Sequence, residues 1–501
     1  MSKKILMVTP ELAKTAAVGG IAEYILGLAT ALLRNGHDVR VALPSYAFLH
    51  SQEGRQIREL RARLPVRLGI GVSEVTAVHE LLVDCPGEDD LRLPVIVIGN
   101  HKHFATVYSP GEIYQWPNHE PWIAFSRSII EYLASSDWRP DVIHCNDSHT
   151  SVVPAYVRQL RRESPQDGFA HWARTVLTIH NLLNQGMGDL DLVSYAGLPP
   201  HWRDVKGFEF YGRANCLKGG LVSSDRVNTV SRTYAREICE SGAYGFGLEG
   251  VLRSRREAGR LSGIVNGIDE SRWRMDGARY DGSEDDADGV IAAKRSIRDD
   301  VLREWGWAAS EKPLIAFRAR WDGQKGVLLL AECMERLLDL ANVAVVSWGY
   351  PGTAADQRAA WTKLNGLAAL RPESLVVNHP SIAALELTAK HYAISDFFLM
   401  PSSYEPCGLA QMECQRYGSV PIVAQTGGLC DTVSEQSTSS FPSPNGFLFR
   451  RTDADSMIAA VKRAATAFRA VETMRTLVRH GLIQRNGWDS RVAGYEALYG
   501  V

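Results

Sequence analysis

The sequence predicts an α/β protein of two doubly wound, Rossmann-like parallel-sheet domains, and three observations carry that prediction. The first is length: 501 residues exceed what one hydrophobic core organises, so two domains of about 200 to 260 residues are the default. The second is a βαβ opening, in which Lys4 to Pro10 reads as a strand. Gly19-Gly20 then starts an amphipathic helix that stops at Asn35-Gly36, and His37 to Leu43 reads as the next strand. The third is the second half of the chain, where short apolar runs alternate with helical stretches.

Composition removes some classes of function. A hydrophobic fraction of 45% is ample for burial, and a formal net charge of −2 gives no bulk attraction to nucleic acid or an acidic membrane. The eight cysteines show no CxxC pair and no histidine spacing of a zinc site, so they read as reduced thiols, mostly buried, and no metal is expected. The apolar run after Met1-Ser2-Lys3-Lys4 is too short for a secretory signal and no segment reads as a membrane span, so a cytoplasmic protein is expected.

In the first half, glycines at the turn after the opening strand let backbone N–H groups approach a phosphate at the positive end of a helix, although a plain tight turn needs them equally. Residues 45 to 120 are less regular, with strand-like runs such as Leu93 to Ile98 and an aromatic loop from Tyr108 to Pro121. After a helix from Trp122 to Leu133, Asp141 to Asn146 reads as a strand running into the polar turn Asp147-Ser148-His149. Thr175 to His180 repeats that design. Two polar strand ends in neighbouring βα units point to a cleft rather than to isolated core histidines. From Phe208 onward an aromatic and apolar helix is expected to give way to a strand at Arg226 to Val230, followed by another helix. The acidic run Asp281 to Gly289 reads as a solvated loop.

In the second half the predicted strands are Pro313 to Arg318, Ala344 to Ser347, Leu375 to Val377, Phe397 to Met400, Val420 to Val423 and Phe447 to Phe449. The turn after the first holds Arg320 and Lys325 in RWDGQKG, a bidentate fork and a mobile point charge suited to a pyrophosphate. The turn after Phe397 to Met400 carries PSSYEPCGLAQMECQRYG. There Glu405 sits at the strand-to-helix turn, where a carboxylate can bind sugar hydroxyls or simply cap a helix, and Glu413 lies farther into the helix. Thr426-Gly427-Gly428 opens another helix and is a second candidate phosphate cradle. A small-molecule ligand held between the two domains is the expectation.

Taken together, the motifs resemble the bacterial glycogen and plant starch synthases, retaining glycosyltransferases of the two-domain GT-B architecture. The blocks that carry the resemblance run nearly the whole chain. They include VGGIAEY (18–24), VIHCNDSHT (142–150), TIHNLLNQG (178–186), GLEGVLRSR (247–255), LSGIVNGIDESRW (261–273), RWDGQKG (320–326), DFFLMPSSYEPCGLAQ (396–411) and RYGSVPIVAQTGGLCDTV (416–433). The resemblance implies transfer of glucose from a nucleotide diphosphate sugar, ADP-glucose before UDP-glucose, to the non-reducing end of an α-1,4-glucan with retention and without a cofactor or metal.

Carried over by position, Arg320 and Lys325 would neutralise the diphosphate, Glu405 would hold the sugar hydroxyls, and His180 and Asp147 would line the reacting centre. Gly19, Gly20, Asn266, Gly408, Leu409, Thr426, Gly427 and Gly428 would serve the donor, with Glu23 and Glu413 as further candidates. The expected division is residues 1–261 plus 486–501 on the acceptor side and 262–485 on the nucleotide-sugar side, the C-terminal helix crossing back to the first domain. No covalent Glu405 intermediate is expected, because the paired carboxylates of a retaining hydrolase are not evident.

The chain also departs from the family pattern. Ala17 stands where a lysine usually precedes the glycine pair, with Lys14 the nearest lysine, and Glu23 replaces an aspartate. The tyrosine expected to stack on the nucleobase falls near Ala383, and Glu413 completes an E-x7-E pair that bacterial synthases generally lack. Two other readings stay open: a divergent GT-B transferase of another sugar or a small or cell-surface acceptor, and a non-catalytic glucan-binding relative.

Overall fold

Parallel strands dominate both halves of the chain in the computed structural model, which describes residues 2–51, 56–69, 71, 73–100, 102–163, 168–275, 287–306, 312–341, 343–378, 387–437 and 443–500. The chain forms two units, Met1–Gly267 with Trp488–Val501, and Ile268–Gly487. The first unit runs past residue 261 because the strand Leu261–Gly263 still pairs in parallel with Arg226–Thr229.

The sheet of the first unit has nine strands. In spatial order they are Leu261–Gly263, Arg226–Thr229, Arg174–Ile179, Val142–Asn146, Lys4–Val8, Asp38–Pro44, Arg92–Asn100, Ser73–Asp84 and Ile57–Arg67. The pairings are parallel as far as Arg92–Asn100, and the last two strands are added antiparallel. The opening strand Lys4–Val8 lies between Asp38–Pro44 and Val142–Asn146, so strand order reverses beside it. That reversal separates the loops following the two strands and leaves room for a ligand above their C-terminal ends. The helix Gly20–Arg34 ends at Asn35, with Gly36 at φ +82°, the left-handed residue that stops a helix.

Two expectations for this unit change. The region read as less regular, with Leu93 to Ile98 as a strand-like run, holds three long strands of 11, 12 and 9 residues; the last contains that run, and the outermost is largely exposed and arginine-rich, as an edge strand tolerates. The start of the expected helix at Phe208 is a hairpin instead: Glu209–Phe210 and Arg213–Asn215 pair across Tyr211-Gly212, with Met187–Gly188 as the third strand. Both turn residues take positive φ, +50° and +77°, which sets the turn of a two-residue hairpin and excludes a helix there. The helix begins only at Cys216 and runs to Ser223.

The second unit has a six-stranded parallel sheet in the order Leu375–Val377, Ala344–Trp348, Leu314–Arg318, Phe397–Met400, Val420–Ala424, Phe447–Phe449. Numbered along the chain this is 3-2-1-4-5-6, and the switch falls between Leu314–Arg318 and Phe397–Met400. Phe397, Phe398, Val420 and Ile422 are almost wholly buried, as strands covered on both faces require. Of the acidic run, residues 281–286 lie outside the described residues, while 287–289 begin the helix Ala287–Glu304 rather than a loop. Ala383 also lies outside the described residues.

The final helix, Val492–Tyr499, belongs to the first unit. The Tyr499 hydroxyl lies 2.8 Å from His144 Nδ1, and Glu496 is 3.1 Å from His37 Nε2. Trp488 sits so close over the helix Gly20–Arg34 that a Cβ on Gly27 would fall 1.9 Å from its ring nitrogen. No described helix is long and apolar enough to cross a membrane. All eight cysteines are free, and seven are buried.

Candidate active site

At the switch point of the second unit the turns after Leu314–Arg318 and Phe397–Met400 lock together. Ser403 donates its N–H to the Gln324 carbonyl at 2.9 Å and its hydroxyl to the Gly323 carbonyl at 3.0 Å. Gly326, at φ +73°, passes so close to Pro401 that a Cβ would lie 1.8 Å from the Pro401 carbonyl oxygen. This contact brings Lys325 Nζ to 2.6 Å from Glu405 Oε2, with the Ser402 hydroxyl donating to the same oxygen at 2.9 Å. The Glu405 side chain is 6% exposed and that of Lys325 23%, so the pair is held largely out of water. Among the described residues both of these bonds fall on Oε2, and Glu405 Oε1 remains for another donor. Arg320 is not drawn into the pair; it is 78% exposed and 3.4 Å from Asp322.

A third turn supports Glu405 from behind. Gly427 has φ +46° and its absent Cβ would fall 1.9 Å from the Glu405 carbonyl oxygen, while a Cβ on Gly428 would fall 2.3 Å from that of Cys407. The Gly428 N–H reaches the carbonyls of Glu405 and Pro406, both at 3.2 Å. These glycines thus pack the turn that carries Glu405, a role the phosphate-cradle reading did not include. Thr426 Oγ1 is buried with no partner among the described residues. Gly408, at φ +70°, and Leu409 lead into the helix Ala410–Gln415. On that helix Glu413 accepts the Tyr392 hydroxyl at 2.8 Å.

In the first unit Asn146 ends one strand and His180 follows its neighbour. Asp147, at φ +54°, begins the short helix Asp147–Thr150 rather than an open turn. Its Oδ1 accepts the N–H of His180 at 2.6 Å and of Asn181 at 3.4 Å. Burial pushes the Asp147 carboxyl up to about 7 against the pull of those two amides, and the charge of Glu11 raises it further. His180 Nε2 is 3.0 Å from Asn146 Oδ1. Because the Asn146 amide nitrogen donates to the Val8 carbonyl at 3.0 Å, the histidine nitrogen is the donor, and Nδ1 carries the lone pair. Burial, then the neighbouring His144, lowers His180 to about 3, so the imidazole is neutral. Tyr24 braces it edge-on, ring centroids 4.4 Å apart.

Glu11 was not found by sequence reasoning. It is buried, and its Oε2 accepts the N–H groups of Val18 at 2.8 Å and Gly19 at 2.6 Å, while the Tyr114 hydroxyl donates to Oε1. The Gly19 amide expected to face a phosphate is therefore engaged by an internal carboxylate. Gly20 is open and Glu23 is exposed in the first helical turn. Asn266 is buried, and its Oδ1 meets no partner among the described residues. Lys14 reaches the Asp84 carbonyl at 3.0 Å. Among the described residues no group of three or more His, Cys, Asp or Glu side chains could hold a metal ion.

Comparison with known proteins accounts for both units. Residues 4–254 match the family described as "Starch synthase catalytic domain" and residues 303–469 the family "Glycosyl transferases group 1". Glycogen synthase 2 of Geobacter sulfurreducens is 36% identical over 499 residues, covering 99% of this chain and 98% of its own. Glycogen synthase of Thermotoga maritima is 33% identical over 505 residues, with 99% and 98% covered. Among solved structures, the catalytic domain of starch synthase IV from Arabidopsis thaliana, bound to ADP and acarbose, matches with TM-score 0.82 and 28% identity. It covers 100% of this chain and 99% of its own.

Proposed function

The chain belongs to the glycogen and starch synthase family of glycosyltransferases, and from that premise we propose that it transfers glucose from ADP-glucose to the non-reducing end of an α-1,4-glucan, with retention. The observation that carries this reading is the Lys325–Glu405 pair at the switch point of the second sheet, 2.6 Å apart and locked by the Gly326–Pro401 contact. Breaking the anomeric bond leaves positive charge on the sugar and negative charge on the diphosphate. A fixed lysine and a carboxylate oxygen with a free lone pair are suited to those two charges. Arg320, exposed beside Asp322, is the fork that swings onto the diphosphate. Neutral His180 and Asp147 of the first unit serve the reacting sugar in this reading. The hydroxyl of the acceptor attacks from the face the diphosphate leaves, and a phosphate oxygen takes its proton. No cofactor or metal is assigned to the step. The starch synthase structure bound to ADP supports the adenine donor, and eight free cysteines suit a reducing, cytoplasmic setting.

The test is purified protein with a panel of ADP- and UDP-sugars, with and without glycogen, following nucleotide diphosphate release and polymer labelling. Glycogen-dependent turnover of ADP-glucose is expected. Lys325→Ala and Arg320→Ala should each lower turnover about 10²-fold or more. Unchanged rates, or a glycosyl adduct trapped on Glu405, would overturn the assignments. One observation favours a second reading, another nucleotide sugar or a small acceptor: Ala17 replaces the lysine before the glycine pair, and the Gly19 amide is held by Glu11. Turnover of a different sugar in the same panel would select it.

A further inference from the structure

Asp147 and His180 follow the C-terminal ends of their strands, whereas a separate cavity of about 370 Å³ opens at the opposite, N-terminal ends of the parallel strands Arg226–Thr229 and Leu261–Gly263. Four arginines line it. Arg158 and Arg161 come from the helix Val152–Glu163, Arg255 from the last turn of the helix Glu249–Glu257, and Arg260 from the residue before the edge strand. Asp225 is the one acid in the lining, and both its oxygens already accept hydrogen bonds. It takes Arg161 Nη1 and Nη2 at 3.0 Å each, the Thr175 N–H at 2.8 Å and the Thr175 hydroxyl at 3.0 Å.

The other three cations have no carboxylate partner among the described residues. Arg158 Nη1 donates to the Val222 carbonyl at 2.7 Å and Arg255 Nη2 to the Ser224 carbonyl, each leaving the rest of its fork unengaged. Arg255 is 9% exposed, and its Nε is buried with no partner among the described residues. Burial first and Arg260 next lower Arg255 to about 10, and burial, Arg162 and Arg260 lower Arg158, while the charge of Asp225 offsets part of both shifts. Arg255 is buried, Arg158 half-buried and Arg260 exposed; cations gathered this closely repel one another, and an anion among them removes that repulsion.

We propose that this recess is a binding site for a phosphate dianion, either inorganic phosphate or the phosphomonoester group of a small sugar phosphate. Planar guanidinium forks match the oxygens of a phosphate in pairs. The lining contains no aromatic residue, so it gives a nucleobase no stacking surface, and apart from Val222 its side chains are polar or charged. The site is remote in the sheet from the strand ends that carry Asp147 and His180, and it requires no part of the transfer reaction.

The test uses the full chain in an Arg320→Ala/Lys325→Ala background, which removes the other cationic turn. Calorimetric titration is run with inorganic phosphate and with a hexose monophosphate, at constant ionic strength set with chloride. Saturable binding is expected, and Arg158→Gln and Arg260→Gln should each weaken it about tenfold, the cost of losing a hydrogen bond to a charged group. Arg260 makes no side-chain hydrogen bond among the described residues, so its replacement leaves the fold intact, and circular dichroism checks this for both variants. A hexose monophosphate bound about tenfold more tightly than phosphate identifies the sugar phosphate as the ligand. Equal affinities identify the phosphate group alone. If the arginines only cap the helix Cys216–Ser223, Arg158→Gln melts lower while its phosphate affinity stays at the parent value; that result, or no saturable binding in the parent, overturns the proposal.

Discussion

Asp147 combines deep burial with two amide donors, and the balance places its titration at about 7. His180 beside it is held neutral, lowered to about 3, so a rate change near neutral pH belongs to the aspartate. If the ionised carboxylate faces the positive charge that develops on the sugar, kcat/KM rises with pH through about 7 and levels above it. Asp147→Asn should remove that step and lower kcat/KM about 10²-fold. A pH profile with the same inflection in the variant would assign the titration elsewhere. Asp147 and His180 were legible in the sequence because each directly follows a strand, and Lys325 and Glu405 because each lies in the turn that follows one, the strands ending at Arg318 and Met400. Glu11, Asn146 and Ser402 were missed because their roles depend on which loop folds over which. Glu11 carried one signal, a carboxylate placed just past the opening strand and before a glycine pair whose amides needed an acceptor.

The turns that carry Glu405 are built on backbone contacts that only glycine permits. At Gly427 a side chain would meet the Glu405 carbonyl at 1.9 Å in a conformation, φ +46°, that already disfavours L-residues. Gly427→Ala should therefore cost about 2 kcal/mol or more in stability and shift Glu405 away from Lys325. Urea unfolding and turnover should fall together. A variant with normal stability and normal rate would show that the turn relaxes without moving the acid. Regular elements were the most legible part of the fold, since the strands of the second unit are short apolar runs followed by glycine or polar turns. The hairpin at Tyr211-Gly212 was misread as helix because its aromatic content resembles a buried helix face, and only the two positive φ values decide it. Of the three long strands of the first unit, Arg92–Asn100 was legible in its apolar run Leu93 to Ile98, whereas Ile57–Arg67 was missed because it is an edge strand whose exposed face is charged, which blurs the alternation.

At the scale of the first unit, the fold depends on a segment from the far end of the chain and on histidines that cannot take up protons. Residues 488–501 place Trp488, Tyr495 and Tyr499 in its core, 7%, 0% and 2% exposed. Each such aromatic is worth about 3–5 kcal/mol, and a domain has about 5–15 kcal/mol in all. A chain ending at Gly487 should therefore lack a cooperatively folded first unit by near-ultraviolet circular dichroism. The histidines give a graded test. His119, His144 and His149 are 6%, 0% and 8% exposed, and burial lowers them to about 4, 3 and 3. Below their unfolded value near 6.5 the unfolded chain binds protons that the folded chain refuses, so the stability they confer is present above that value and falls as pH falls. Each contributes about 1.4 kcal/mol per pH unit. Asp147 works in the opposite sense between about 4 and 7, since its raised pKa makes the folded state bind the proton, and it offsets one of them. With His180, also lowered to about 3, the four histidines less the aspartate leave a net loss from pH 6 to pH 5 of about 4 kcal/mol, large against the total. Urea midpoints of the first unit's transition measured at pH 7, 6 and 5 should fall in that proportion, and His149→Gln should flatten the slope by about a third. A midpoint independent of pH over this range would mean that the histidines reach solvent and protonate in the folded state.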